Sequence, residues 1–202
     1  MRKTKIAVLV SGGGTNLQAL IDAQGSTLVS GEIALVIANN AGAYALERAK
    51  KAGIETAVVL KKELGSQEAF ETRLKEILTE HGIEVIILAG FMTILTENFT
   101  SCYPKRILNV HPSLSPSFCG AGFYGLKVHQ AALDYGVKVT GATVHFVNEI
   151  PDGGEIIAQK AVEVLPGDTP EVLQHRVMEQ AEWILLPQAA ETVCAQLNKQ
   201  TN

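Results

Sequence analysis

Lys5-Ile6-Ala7-Val8-Leu9-Val10-Ser11-Gly12-Gly13-Gly14-Thr15-Asn16-Leu17 decides how the chain is organised. Residues 5–10 are rich in aliphatic and β-branched side chains, the composition of a buried strand. Ser11 to Asn16 break that run, and Leu17, Leu20 and Ile21 then recur at helical spacing. Strand, glycine-rich turn and helix follow one another here, and the first half of the chain repeats the rhythm.

Residues 33–38 read as a second strand and 43–52 as a helix closed by Gly53. A third strand covers 54–60, and 66–81 is a charged amphipathic helix closed by Gly82. Residues 83–89 and 106–110 supply the fourth and fifth strands. Strands alternating with helices predict an α/β, Rossmann-like fold, a mostly parallel twisted sheet with helices on both faces. Ligands of such sheets bind beyond the carboxyl ends of the strands.

The second half differs. Residues 111–124 form a long loop rich in Pro, Ser and Gly, and 125–135 a helix. Residues 139–147 and 156–164 both alternate, and the irregular Asn148-Glu149-Ile150-Pro151-Asp152-Gly153-Gly154 separates them. They are expected to pair antiparallel. Pro170 opens a final helix running to about residue 196. No linker or repeat divides the chain, so one domain over 1–202 is expected, with a phosphate-binding half (1–110) and a half holding the catalytic loop and C-terminus (111–202).

Composition narrows the function. With 17 basic against 21 acidic residues the net charge is −4, which argues against a general nucleic-acid surface. Cys102, Cys119 and Cys194 form no CxxC pair and no metal-ligand spacing with the five histidines, a pattern of the reducing cytosol. The first strand starts almost at Met1, leaving no room for a signal peptide, and no apolar run can span a bilayer. The expectation is a soluble cytoplasmic protein with no membrane partner, acting on small molecules as a monomer or homodimer.

Three elements carry chemistry. In Asn109-Val110-His111-Pro112, an amide and an imidazole two residues apart at a strand's end point to the same side. The pair can offer two donors to one oxygen, as a carbonyl-derived oxyanion requires; a plain strand exit, with both side chains satisfying local backbone, is the competing reading. Ser11 to Asn16 lie where backbone N–H groups and a helix dipole favour an anion. That stretch is neither a P-loop nor a dinucleotide fingerprint, so a monophosphate site is expected rather than a bare turn. Asp152, between Pro151 and Gly153-Gly154, is a carboxylate in a loop needing unusual backbone angles, and by itself reads more readily as turn chemistry than as a catalytic group. His145 reads as a packed strand residue. His81 and His129 read as helical and structural, Trp183 with Leu185-Leu186 as packing the last helix on the sheet, and Lys50-Lys51 as a solvated face.

Five stretches occur together and in order: Ser11 to Asn16, Ala89-Gly90-Phe91-Met92-Thr93-Ile94-Leu95, Leu108-Asn109-Val110-His111-Pro112-Ser113-Leu114, Thr143-Val144-His145-Phe146-Val147, and Asp152-Gly153-Gly154. In this the chain resembles the phosphoribosylglycinamide formyltransferase family, over essentially its whole length. The resemblance implies formyl transfer from 10-formyltetrahydrofolate, as co-substrate, to the amine of 5'-phosphoribosylglycinamide in purine synthesis, with no metal. It implies that Asn109, His111 and Asp152 are catalytic and that Gly14, Thr15 and Asn16 hold the substrate phosphate. Glu182 matches an acid that contacts the nucleotide substrate, although the helix carries one extra residue before it. Met92, Thr93, Ile94 and Leu95, with Asn109, would line the folate pocket.

Some positions depart from the family pattern. Gln67 and Glu68 stand where a basic residue often meets the folate glutamate tail, which leaves Arg73 as another contact. Thr93 replaces a frequent arginine, and Ser115 an aliphatic residue. Formyltetrahydrofolate hydrolase shares the chemistry but usually has an N-terminal regulatory domain, and methionyl-tRNA formyltransferase needs a C-terminal RNA-binding domain; neither is expected here. A non-catalytic nucleotide-binding module would have no use for the Asn109, His111 and Asp152 set.

Overall fold

The computed structural model describes residues 2–200. Its first half runs β1 (Thr4–Val10), α1 (Thr15–Ala23), β2 (Gly31–Ala38), α2 (Tyr44–Lys51), β3 (Glu55–Val58), α3 (Lys61–Leu64), α4 (Gln67–Glu80), β4 (Val85–Leu88), α5 (Glu97–Thr100) and β5 (Ile107–His111). The second half runs α6 (Leu126–Tyr135), β6 (Val139–Phe146), β7 (Ile156–Glu163) and α7 (Pro170–Val177). A π-helical segment (Met178–Glu182) then leads into α8 (Trp183–Gln200).

Seven strands form one sheet in the order β3-β2-β1-β4-β5-β6-β7. β1 to β5 are parallel, and β6 and β7 complete the sheet antiparallel. The chain reverses its direction of travel across the sheet between β1 and β4, so a crevice opens at their carboxyl ends. The glycine-rich turn, residues 89–95 and the end of β5 all lie at this edge.

Alternation along β1 divides the core in two. Ile6, Val8 and Val10 face Leu17, Leu20, Ala45, Leu46 and the α7–α8 side chains. Ala7 and Leu9 face Phe70, Leu74, Ile77, Leu78 and Phe99. Both faces of the central strands β1 and β4 are therefore dry, which is why they read as continuous apolar runs. Ser66 caps α4 by accepting from Ala69 N at 3.0 Å, and Thr169 caps α7, whose first residue is Pro170.

Several boundaries differ from the sequence reading. β3 is a four-residue edge strand because it pairs only from Leu35↔Glu55 to Ala38↔Val58. β5 extends through His111, which pairs with Thr143. The single-turn helices α3 and α5 are too short to leave a periodic signal. The last helix is interrupted by the π segment, a locally wider winding that ends at Glu182. Leu185 and Leu186 enter the core as expected. Trp183 instead sits edge-on to the His175 ring, 6.2 Å between centroids, and lines a cavity beside α1. Among the described residues, no helix is long and apolar enough to cross a membrane.

Candidate active site

β5 delivers Asn109 and His111 to the carboxyl edge on the same side of the strand, and the antiparallel register places His145 opposite Asn109. Asp152 reaches the same point from the β6–β7 connection. Asn109 Nδ2 lies 3.3 Å from Asp152 Oδ1 and 3.2 Å from His145 Nε2. His111 Nδ1 lies 3.4 Å from Asp152 Oδ2, and Gly120 N donates to that same oxygen at 2.9 Å. One carboxylate thus gathers four donor-bearing groups, counting His145 Nε2 at 3.5 Å from Oδ1.

Burial would by itself raise the Asp152 carboxyl. Hydrogen bonds from His145 and the Gly120 N–H, with the nearby His111 and His145 rings, outweigh it and hold the carboxyl below its ordinary value. Asp152 is therefore ionised at neutral pH. It also takes a left-handed backbone, φ 56°, so the unusual angle expected in this loop belongs to the carboxylate itself. Gly153 and Gly154 serve close approach: a Cβ on Gly154 would sit 1.7 Å from Phe146 O.

The remaining ring atoms are also held. His111 Nε2 lies 2.8 Å from Phe118 O, and His145 Nδ1 lies 2.8 Å from Phe146 O. A carbonyl only accepts, so each of these nitrogens carries a proton. His111 is only 4% exposed. The simple picture of two free donors at a strand end is thus corrected: the donors of Asn109 and His111 face partners within the site, and an incoming oxygen must replace one of the longer contacts. Such contacts often tighten only around substrate.

Asn109, His145 and Asp152 form the inner wall of a cleft of about 120 Å³, whose outer wall includes Met92, Thr93, Ile94, Leu95 and Ile150. Met92 is 58% exposed and Ile94 66%, leaving apolar surface for a ligand, whereas Leu95 is buried in the core. Backbone in this segment is pinned: Met92 N donates to Ser11 Oγ at 2.9 Å, and Ile94 O accepts from Gln67 Nε2 at 3.0 Å. Thr93 Oγ1 accepts from Asn39 Nδ2 at 2.8 Å. Gln67 therefore braces the cleft wall, and Arg73 pairs with Glu76 on the exposed face of α4. A larger cavity of 760 Å³ lies between the β7 start and the α8 end, and shares none of these polar groups.

On the β1 side, a Cβ on Gly12 or Gly13 would meet nothing within 4 Å, so the turn keeps an open cradle before the α1 N-terminus.

The formyl transferase family matches residues 4–189 of this chain. Phosphoribosylglycinamide formyltransferase of Haemophilus influenzae is 44% identical over 87% of the chain and 81% of that protein. Glycinamide ribonucleotide transformylase 1 of Symbiobacterium toebii superposes with a TM-score of 0.89 at 41% identity, over 96% of this chain and 89% of that one. The chain belongs to the phosphoribosylglycinamide formyltransferase family. Trifunctional purine biosynthetic protein adenosine-3 of Gallus gallus is 47% identical over 96% of the chain, which spans only 19% of that longer protein.

In this chain the three residues of the expected phosphate group differ in their surroundings. Gly14 does not line the cradle with a free edge. It takes φ 72° as the N-cap of α1, and a Cβ there would stand 2.6 Å from Ala45 Cβ, so it is glycine for packing and backbone angle. Thr15 is exposed at the first turn. Asn16 turns its side chain away from the cradle, and Nδ2 donates to Glu182 Oε2 at 2.7 Å across 166 residues. Among the described residues Asn16 Oδ1 has no partner. Ser115 is anchored by its backbone, with N donating to Thr143 Oγ1 at 3.0 Å, while its buried hydroxyl has no partner among the described residues.

His145 is the site member that sequence reading assigned to the core; its signal is the cross-strand register, which appears only once β5 and β6 are paired. His129 is fully buried on α6, and burial, then the nearby His111 ring, pushes its imidazole down to about 4. His81 stays structural, with Nδ1 2.7 Å from Ile77 O.

Glu182, in the π segment, is buried, and burial pushes its carboxyl up to about 7 despite the Asn16 bond. A raised carboxyl contributes most stability below its unfolded value, near 4.5, and loses it as pH rises toward 7. Glu182→Gln keeps an acceptor for Asn16 and removes that loss. The variant should melt higher than the native protein at pH 8, by on the order of 2–3 kcal/mol, and converge with it near pH 5. Thermal melts at both pH values check this, and a difference independent of pH would refute it.

Proposed function

We propose that the chain transfers the formyl group of 10-formyltetrahydrofolate to the amine of 5'-phosphoribosylglycinamide, in purine biosynthesis. The observation that carries this reading is the position of Asn109, His145 and Asp152. They stand in the wall of the cleft lined by residues 92–95, on the same sheet edge as the glycine cradle. A folate in the cleft and a phosphate at the α1 N-terminus would bring their reacting ends together at these residues.

The substrate amine attacks the formyl carbon. A C–N bond forms, and the carbonyl π pair moves to oxygen. Asn109 Nδ2 and His111 Nδ1 donate to that oxyanion, exchanging their long contacts with His145 and Asp152 for stronger charge-assisted ones. When the oxyanion collapses, the bond to the folate nitrogen breaks, and that nitrogen takes up the proton the amine has lost. Protons balance, so the reaction needs a carrier rather than an external acid. At the far end, backbone N–H groups of Gly14, Thr15 and Asn16 receive the phosphate, while Glu182 and the unpartnered Asn16 Oδ1 accept from substrate hydroxyls. Met92 and Ile94 pack against the folate.

A formyl-transfer assay with phosphoribosylglycinamide, other amines and water as acceptors tests the reading. Formylation of phosphoribosylglycinamide well above hydrolysis is expected; formate release as the main product would make the chain a formyltetrahydrofolate hydrolase. Gly13→Val tests the cradle separately. Its side chain enters open space, so the fold should survive, with the phosphate crowded out. Calorimetric titration should show phosphoribosylglycinamide weakened by roughly tenfold or more, the equivalent of losing one or two charge-assisted hydrogen bonds, and the folate little changed. Equal weakening of both ligands would count against the cradle.

A further inference from the structure

Among the described residues, three that are not glycine take a left-handed backbone: Lys105, Phe118 and Asp152. Two of the three meet the two nitrogens of one side chain, His111. Phe118 O lies 2.8 Å from Nε2, and Asp152 Oδ2 lies 3.4 Å from Nδ1. A phenylalanine at φ 50° is strained, and it persists only where its surroundings determine it.

Those surroundings are specific. Ser113 is fully buried just beyond β5, and its Oγ donates to Ser117 O at 2.6 Å, with Phe118 O at 3.4 Å. Thr143, the cross-strand partner of His111, donates to Ser113 O at 2.7 Å and accepts from Ser115 N at 3.0 Å. From outside, the Phe118 ring packs edge-on against Phe123 and Tyr135, at 6.4 and 6.0 Å. Two residues further on, Gly120 N holds Asp152 Oδ2. One loop thus grips His111 at both nitrogens, directly through Phe118 and through Asp152 by way of Gly120.

We infer that the Phe118 main-chain carbonyl, braced by the Ser113 hydroxyl, is a positioning group that keeps a proton on Nε2 of His111 and leaves Nδ1 as the atom that serves the reaction. This rests on the proposed role of His111 in formyl transfer. Nε2 keeps its hydrogen throughout. Nδ1 turns its own hydrogen from Asp152 to the oxyanion, and the ring neither gains nor loses a proton. Ser113, Phe118 and Tyr135 act through His111.

Ring-nitrogen NMR of ¹⁵N-histidine-labelled full-length protein tests this without substrate, with His111 assigned by difference from His111→Asn. The native resting protein should show His111 protonated at Nε2 and hydrogen-bonded. Ser113→Ala should shift that signal and lower kcat by roughly three- to tenfold, the loss of one neutral hydrogen bond, with KM for both substrates within about twofold. Tyr135→Ala, at a position 81% exposed and so safe for folding, should move the same signal in the same sense by less. An unprotonated Nε2 in the native protein would overturn the inference. So would an unmoved signal in both variants, or a moved signal with unchanged kcat. Absence of formyl transfer by the native chain, with Nε2 protonated, would instead sink the proposed function.

Discussion

Asp152→Asn is expected to lower turnover by roughly 10²–10³-fold while the protein remains folded at neutral pH. Asparagine tolerates the left-handed backbone at φ 56°, so the β6–β7 connection should keep its shape. The chemistry should not survive as well. Oδ1 now faces Asn109 Nδ2, and Oδ2 faces Gly120 N. An amide has one acceptor atom, so either orientation sets an NH₂ group against a donor. The charge facing His111 is lost as well. The substitution also changes the acid limb of stability. The folded carboxyl titrates below its unfolded value, so Asp152 contributes stability above the unfolded value and loses it as pH falls through the folded one. The variant should therefore show a flatter dependence of melting temperature on pH in the acid range. Near-native turnover with an unchanged acid limb would return Asp152 to the status of a turn residue.

His111→Ala should cost a similar 10²–10³-fold in turnover, the loss of one oxyanion donor. Here the structure adds a cost that the strand-exit position alone does not suggest. The ring is buried, and its removal leaves Phe118 O with the long 3.4 Å Ser113 Oγ contact in place of the 2.8 Å one and opens a small cavity, so about 1–3 kcal/mol of stability should go with it. Turnover must therefore be measured on protein shown by thermal melting to be folded at the assay temperature. Folate and phosphoribosylglycinamide affinities should stay close to native, because His111 stands behind the cleft wall rather than in it. Turnover within tenfold of native, on folded protein, would remove His111 from the reaction.

Much of this protein is encoded by neighbours along the chain. The strand, glycine turn and helix of residues 5–21 state their own periodicities. The parity of Ile6, Val8 and Val10 against Ala7 and Leu9 already implies two buried faces. Asn109 and His111 fall on the same side because strand side chains alternate, and no tertiary information is needed for that.

Tertiary structure decided which of these residues meet. His145 belongs with Asn109 only through the β5–β6 register, which a single strand's sequence does not specify. Asn16 pairs with Glu182 because α1 packs against α8, which continues directly from the π segment, and a helix start cannot announce a partner 166 residues away. Gly14 is required by Ala45 and by its own backbone angle, while the open edge belongs to Gly12 and Gly13; all three look alike in sequence. The proton position on His111 depends on a carbonyl seven residues on, whose direction is set by a strained angle at Phe118. Periodicity is local and survives in the sequence. Register, rotamer and the direction of a single carbonyl are settled by competition among distant contacts, and only the folded chain resolves that competition.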